Sequence, residues 1–150
     1  MTTSPFSTPS LRSLRIFTIL VLVFLTVQGW TGDFSNLFAV FPSGTVSASI
    51  GGILAGVEKA GPLVTYHALE GALILALSIV VLSLSFSSHA SSTLKVFAIL
   101  GLGSVASALA GGVLFVLSDF QNNGNSAQMG GSFIGAYAFF FLVLYASKKK

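Results

Sequence analysis

The stretch Leu63 to Phe86, LVTYHALEGALILALSIVVLSLSF, is an apolar run long enough to cross a bilayer as one helix, and it limits the folds open to the whole chain. Runs of the same character recur at about residues 14–30, 94–117 and 127–146. In hydrocarbon every backbone amide must find its partner within the protein, so isolated apolar runs of this length become helices. Only 7% of the residues are charged and 53% are hydrophobic, whereas about a quarter of the residues of a soluble domain are charged. The expectation is an all-α membrane protein: one integral membrane domain over residues 1–150, folded as an antiparallel bundle of four transmembrane helices. An outer loop at residues 31–62 is expected to carry a short amphipathic interfacial helix.

The connecting segments set the topology. Residues 1–10 are rich in Ser, Thr and Pro and read as a surface tail. Arg12 and Arg15 precede the first run; the same pattern opens a secretory signal, but Gln28 and Trp30 suit the interfacial end of a retained helix. Phe34, Leu37, Phe38 and Phe41 follow a helical spacing with Asp33 at the N-cap position, which predicts the interfacial helix, ended by Pro42-Ser43-Gly44. Thr45 to Val57 is too short to span and reads as an extended cap, a second surface helix or a re-entrant piece. The turn Ser87 to Thr93 is short enough to force the third span antiparallel to the second, and Ser118 to Ser126 is a second polar turn. His89 reads as a solvated turn residue, and Trp30, Tyr66 and Tyr145 as interfacial anchors.

Basic residues orient the bundle. Four spans put both termini on one side, and Arg12, Arg15, Lys95, Lys148, Lys149 and Lys150 fall there, against Lys59 alone opposite. The positive-inside rule then predicts a multi-pass cell-membrane protein with cytoplasmic N- and C-termini. Contact with lipid, with other membrane subunits or with a second copy follows. Nucleic acid is not an expected partner, because the basic residues form no patch interleaved with aromatics. Without cysteine there is neither a disulfide nor a thiolate metal site.

Small residues mark the expected helix contacts. Gly101, Ser104, Ala108 and Gly111 recur at three- and four-residue intervals on the third span, and Gly131 and Gly135 form a GxxxG on the fourth. Gly71 opens a gap beside an ionisable pair, His67 and Glu70, three residues apart on one face of the second span. Ionisable groups in a span are costly, about 2.5–3.5 kcal/mol near its centre, and are therefore candidate functional sites. Near them, at the outer ends of the helices, the sequence places Gln28, Asp33, Asp119 and Gln128, with Met129 one residue further along. Together they predict a shallow, outward-facing ligand or partner site.

Several chemistries fit those residue types. A histidine and a methionine can be axial ligands of haem b, so His67 and Met129 are the candidate pair, and a histidine with a carboxylate can bind a quinol oxygen and take its proton. The arrangement resembles the four-helix cytochrome b membrane subunits in topology and in a histidine near a helix end, and departs from them in lacking a second histidine in any span. The acids could instead line the mouth of a small homo-oligomeric channel. Metal-dependent hydrolysis has little support, since there is no HExxH and no resident metal is expected. With no soluble catalytic domain, the chain reads as a small accessory or anchor subunit without catalytic activity of its own. The expected setting is a larger membrane complex, respiratory or electron-transfer, with haem b or quinone as the candidate cofactors. The alternative is a haem- or quinone-binding redox protein in its own right.

Overall fold

A computed structural model describes residues 11–88 and 90–148. They fold into five helices: α1 Leu11–Phe38, α2 Ile50–Lys59, α3 Pro62–Ser87, α4 Ser92–Leu117 and α5 Asn123–Ala146. The long helices α1, α3, α4 and α5 are each apolar enough over a window of membrane length to cross a bilayer. The protein is a four-helix membrane bundle. The tail of residues 1–10, the turn residue His89 and the terminal Lys149 and Lys150 lie outside the described residues.

The bundle is square in section. The helices follow the order α1, α3, α4, α5 around it, with the α4/α5 seam packed most extensively and the α1/α5 seam the most sparsely. Arg12, Arg15, Lys95 and Lys148 stand at the end that carries both termini (the terminal end), and α2 covers the other (the loop end), against α3 and α4.

One rule of spacing builds the core. Leu14, Thr18, Val21 and Leu25 on α1 are buried at intervals of four, three and four residues, and so are Ile74, Ser78, Val81 and Ser85 on α3. The same intervals recur in Leu94, Ala98, Gly101 and Val105 on α4, and in Ala136, Phe140, Val143 and Ser147 on α5. This is the knobs-into-holes spacing that aligns helices at a shallow angle. Size is matched across it: the Phe140 ring lies where a Cβ on Gly101 would stand, 2.9 Å from the ring's Cζ. The buried hydroxyls need no interhelical partner, because Thr18, Ser78 and Ser85 donate to carbonyls of their own helix, Leu14, Ile74 and Leu82.

At the terminal end Arg15 donates from Nε to the carbonyl and hydroxyl of Ser147, at 3.1 and 3.2 Å, and from Nη2 to the same carbonyl. Ser147 is the C-cap of α5, so a cation sits where the helix dipole is negative. At the loop end a second core forms under α2. Phe41, Phe115 and Phe120 make a three-ring cluster with centroids 4.9–5.6 Å apart, alongside Val46, Val57, Ala60 and Val116. The turn after α4 places Asp119 and Phe120 at φ of 56° and 61°, a region costly for both residue types. Asp119 Oδ1 accepts from the Val46 amide at 2.9 Å and Phe120 stacks on Phe41, which offsets that cost.

Two boundaries differ from the sequence expectation, and one open reading is resolved. The outer loop carries its short amphipathic helix as α2 rather than around Phe34 to Phe41, because α1 continues unbroken through Phe38 and Asp33 lies inside it rather than at a cap. No proline interrupts the run before Pro42, and Gly29 and Gly32 stay within the helix, with Phe133 packed on Gly29 and His67 on Gly32. Thr45 to Val57 resolves into its surface-helix reading: Ser49 caps α2 by accepting from the Gly52 amide. The fourth span starts at Asn123 rather than near residue 127, because Asn122 accepts from the Gly124 amide and caps α5.

Candidate functional site

The polar cluster stands in the α1/α3 seam, toward the loop end. The extension of α1 past Trp30 puts Gln28, Thr31, Gly32 and Ser35 on one face at helical spacing, opposite His67, Glu70 and Gly71 of α3. Two glycines permit the close approach. A Cβ on Gly32 would lie 3.1 Å from His67 Cε1, and one on Gly71 would lie 3.3 Å from Gln28 Nε2.

Both imidazole nitrogens are engaged. His67 Nε2 lies 3.2 Å from Gln28 Nε2, and His67 Nδ1 lies 3.1 Å from Thr31 Oγ1. The Thr31 hydroxyl also lies 3.1 Å from Glu70 Oε2 and 3.1 Å from the Gln28 carbonyl. A hydroxyl has one proton, and a carboxylate is the stronger acceptor. One assignment is consistent throughout: Gln28 donates to His67 Nε2, His67 Nδ1 donates to Thr31, and Thr31 donates to Glu70. The chain of donors ends on a carboxylate with only 4% of its residue surface exposed. Two buried oxygens of the cluster, Gln28 Oε1 and Glu70 Oε1, have no hydrogen-bond partner among the described residues.

Of the residues expected at the site, Gln28, His67 and Glu70 come together and the others do not. Asp33 faces away, in a groove between α1 and α5. Asp119 holds the loop through Val46. Gln128 Nε2 reaches the Ser107 carbonyl and hydroxyl at 3.3 and 3.4 Å, in the α4/α5 seam, where Ser132 also donates to Ser107. Met129 packs on the backbone of α4: its Cγ and Sδ lie 3.1 and 3.3 Å from where Cβ atoms of Gly111 and Gly112 would be. The expected axial pair is thus divided between two seams, since α1 supplies His67 with polar partners and the glycines of α4 accept the methionine. Thr31, the hub of the cluster, lay in the stretch read as loop. Its signal was its three-residue offset from Gln28, meaningful once the helix runs past Trp30.

The small residues also divide. Gly71, Gly101 and Gly111 are filled by the side chains named above, Gly135 faces the Ser104 hydroxyl, 3.1 Å from a Cβ built there, and Ala108 is half-buried. Gly131 faces open space, as does Gly130. The GxxxG is therefore not one packing surface: Gly135 points into the bundle and Gly131 out of it.

The α1/α5 groove has a volume of about 620 Å³ and is lined by Thr26, Gly29, Trp30, Asp33, Phe133, Ile134, Tyr137 and Ala138. Phe133 lies on Gly29 as its floor. Compared with protein-family models, with curated proteins and with solved structures, the chain matches none.

Proposed function

We propose that the protein is a small, non-catalytic subunit or anchor of a larger complex in the cell membrane, with both termini cytoplasmic. We propose further that it holds a partner's transmembrane helix on its α1/α5 face. The observation that carries the reading is the exposed face of α5 beside the groove. Gly130 and Gly131 have no neighbour within 4 Å, and Ile134, one turn on, is 67% exposed. Exposed small residues beside an apolar groove let a second helix backbone come close, and close backbone approach drives helix association in lipid. The Asp33 carboxylate in the groove suits a donor side chain on that helix. A respiratory or electron-transfer complex remains the proposed setting, to be identified by its chains.

Orientation has a direct test, because the chain has no native cysteine. In intact cells a membrane-impermeant maleimide is expected to label Ser43→Cys, in the loop before α2. Ser92→Cys, at the start of α4, is expected to react only after permeabilisation. The opposite pattern overturns the assignment.

The docking reading is tested by native mass spectrometry of the protein extracted in mild detergent. Wild type is expected to carry a partner chain that Gly131→Leu releases, with the bundle's helical circular dichroism unchanged. Elution as a lone monomer counts against the reading. A Soret band that His67→Ala abolishes would replace it with a haem protein acting in its own right.

A further inference from the structure

The α1/α3 cluster holds two buried oxygens that no described residue satisfies, Gln28 Oε1 and Glu70 Oε1. They belong to one hydrogen-bonded unit, since the Gln28 amide contacts His67 and the Glu70 carboxylate accepts from Thr31, which also contacts His67. An unpaired buried acceptor costs about 1–3 kcal/mol, and more when it is charged. Glu70 is nine-tenths buried, and among the described residues no ion pair reaches it, His67 being joined to it through the Thr31 hydroxyl. We propose that this cluster binds one small monovalent metal cation, of the Na⁺ or Li⁺ class, between Glu70 Oε1, Gln28 Oε1 and the Thr31 hydroxyl.

The chemistry of the donors selects the ion. A carboxylate, an amide carbonyl and a hydroxyl are hard oxygen ligands, which suit hard cations. One carboxylate balances one positive charge. A divalent ion would leave an uncompensated charge in an apolar seam, and among the described residues no three of His, Asp and Glu gather to hold one. The thiolate and thioether ligands that select softer ions are absent from the cluster. Gly32 and Gly71 matter here too, because a side chain at either position would press on His67 or Gln28 and move the oxygens.

A proton is the natural competitor, because it can occupy the same Glu70 oxygen. The groups that could alter this competition are few. His67 is the one titratable partner on α3, and α1 presents Gln28 and Thr31 while its Asp33 lies in the opposite groove. Lys95 of α4 is at the terminal end, and Glu58 and Lys59 of α2 are exposed. The inference is separate from the docking face, and either can fail without the other.

The test uses the whole purified protein in mild detergent at constant ionic strength, with NaCl replaced stepwise by choline chloride. Na⁺ and Li⁺ are expected to raise Tm in a saturable way, while choline does not. Apparent Na⁺ affinity is expected to fall about tenfold for each unit that pH is lowered where the proton holds the site. Glu70→Gln should remove the cation response. Should that variant fail to fold, wild type decides: Na⁺ is expected to protect Glu70 from modification by a hydrophobic carbodiimide, read as the mass of the Glu70 peptide. Identical Tm in Na⁺ and choline from pH 6 to 8 would overturn the proposal, leaving a site for a proton or water only. So would a cation response that persists in Glu70→Gln, or carbodiimide labelling that Na⁺ does not slow.

Discussion

Phe140→Ala is expected to destabilise the bundle by about 3 kcal/mol, a typical cost for emptying a packed core of one ring. Phe140 is fully buried and its ring occupies the notch left by Gly101. In lipid the unfolded side chain also stays in an apolar medium, so the loss is one of van der Waals contact rather than of transfer from water. That makes the effect depend on shape. Gly101→Ala, which drives a methyl group into the ring, is expected to cost about 1–3 kcal/mol by overpacking. Phe140→Leu in the Gly101→Ala background should recover much of the Gly101→Ala loss, a coupling of about 1 kcal/mol or more against the two single variants. Phe141, its neighbour, is 57% exposed, and Phe141→Ala should change stability by less than about 0.5 kcal/mol. Unfolding by SDS from bicelles, followed by circular dichroism, measures these variants and the single Phe140→Leu. Equal losses at positions 140 and 141 would refute the notch.

The second large effect belongs to the polar hub. Thr31→Val keeps the shape of the side chain and deletes its hydroxyl, so no cavity contributes. An average interhelical hydrogen bond in a membrane is worth only ~0.6 kcal/mol. Thr31 carries more, because its removal leaves His67 Nδ1 without a partner and the Glu70 carboxylate with neither oxygen bonded. Leaving a buried acceptor unsatisfied costs about 1–3 kcal/mol, at the upper end when it is charged, and a loss of about 2–3 kcal/mol is expected here. Thr31→Ser retains the hydroxyl and should stay within about 1 kcal/mol of wild type. In a Glu70→Gln background Thr31→Val should cost less, since a neutral amide loses less than a carboxylate when left unpaired. If Thr31→Val and Thr31→Ser are equally mild in the same unfolding assay, the hydroxyl is not the hub.

The two sites differ in how legible they were. His67 and Glu70 stand out in any sequence reading, because charge-bearing residues are rare in an apolar run and helical spacing puts them on one face. Gln28 was also visible, as a polar residue near a helix end. Asp33, Asp119, Gln128 and Met129 shared only depth with them, and depth does not fix direction. Each lies at a comparable level in the bundle, yet Asp33 turns to the α1/α5 groove, Asp119 to Val46, and Gln128 and Met129 to α4. Likewise the GxxxG spacing marked Gly131 and Gly135 as equivalent, and only one of them meets a neighbour within the chain.

By itself the sequence determined the four apolar helices, their antiparallel order, the common end for both termini and an ionisable pair on the second of them. These follow from length, turn size and the cost of bare amides in hydrocarbon, all of which are local properties. Which faces meet was decided only by the tertiary structure. The helices are apolar all round, so Leu14 in the core and Ile16 on the outside cannot be told apart by hydrophobicity. What separates them is fit: Phe140 against Gly101, Met129 against Gly111, Gln28 against Gly71. The site depended on the same kind of contact. Thr31 reaches His67 and Glu70 because α1 stays helical past Trp30, where His67 packs on Gly32 from another helix.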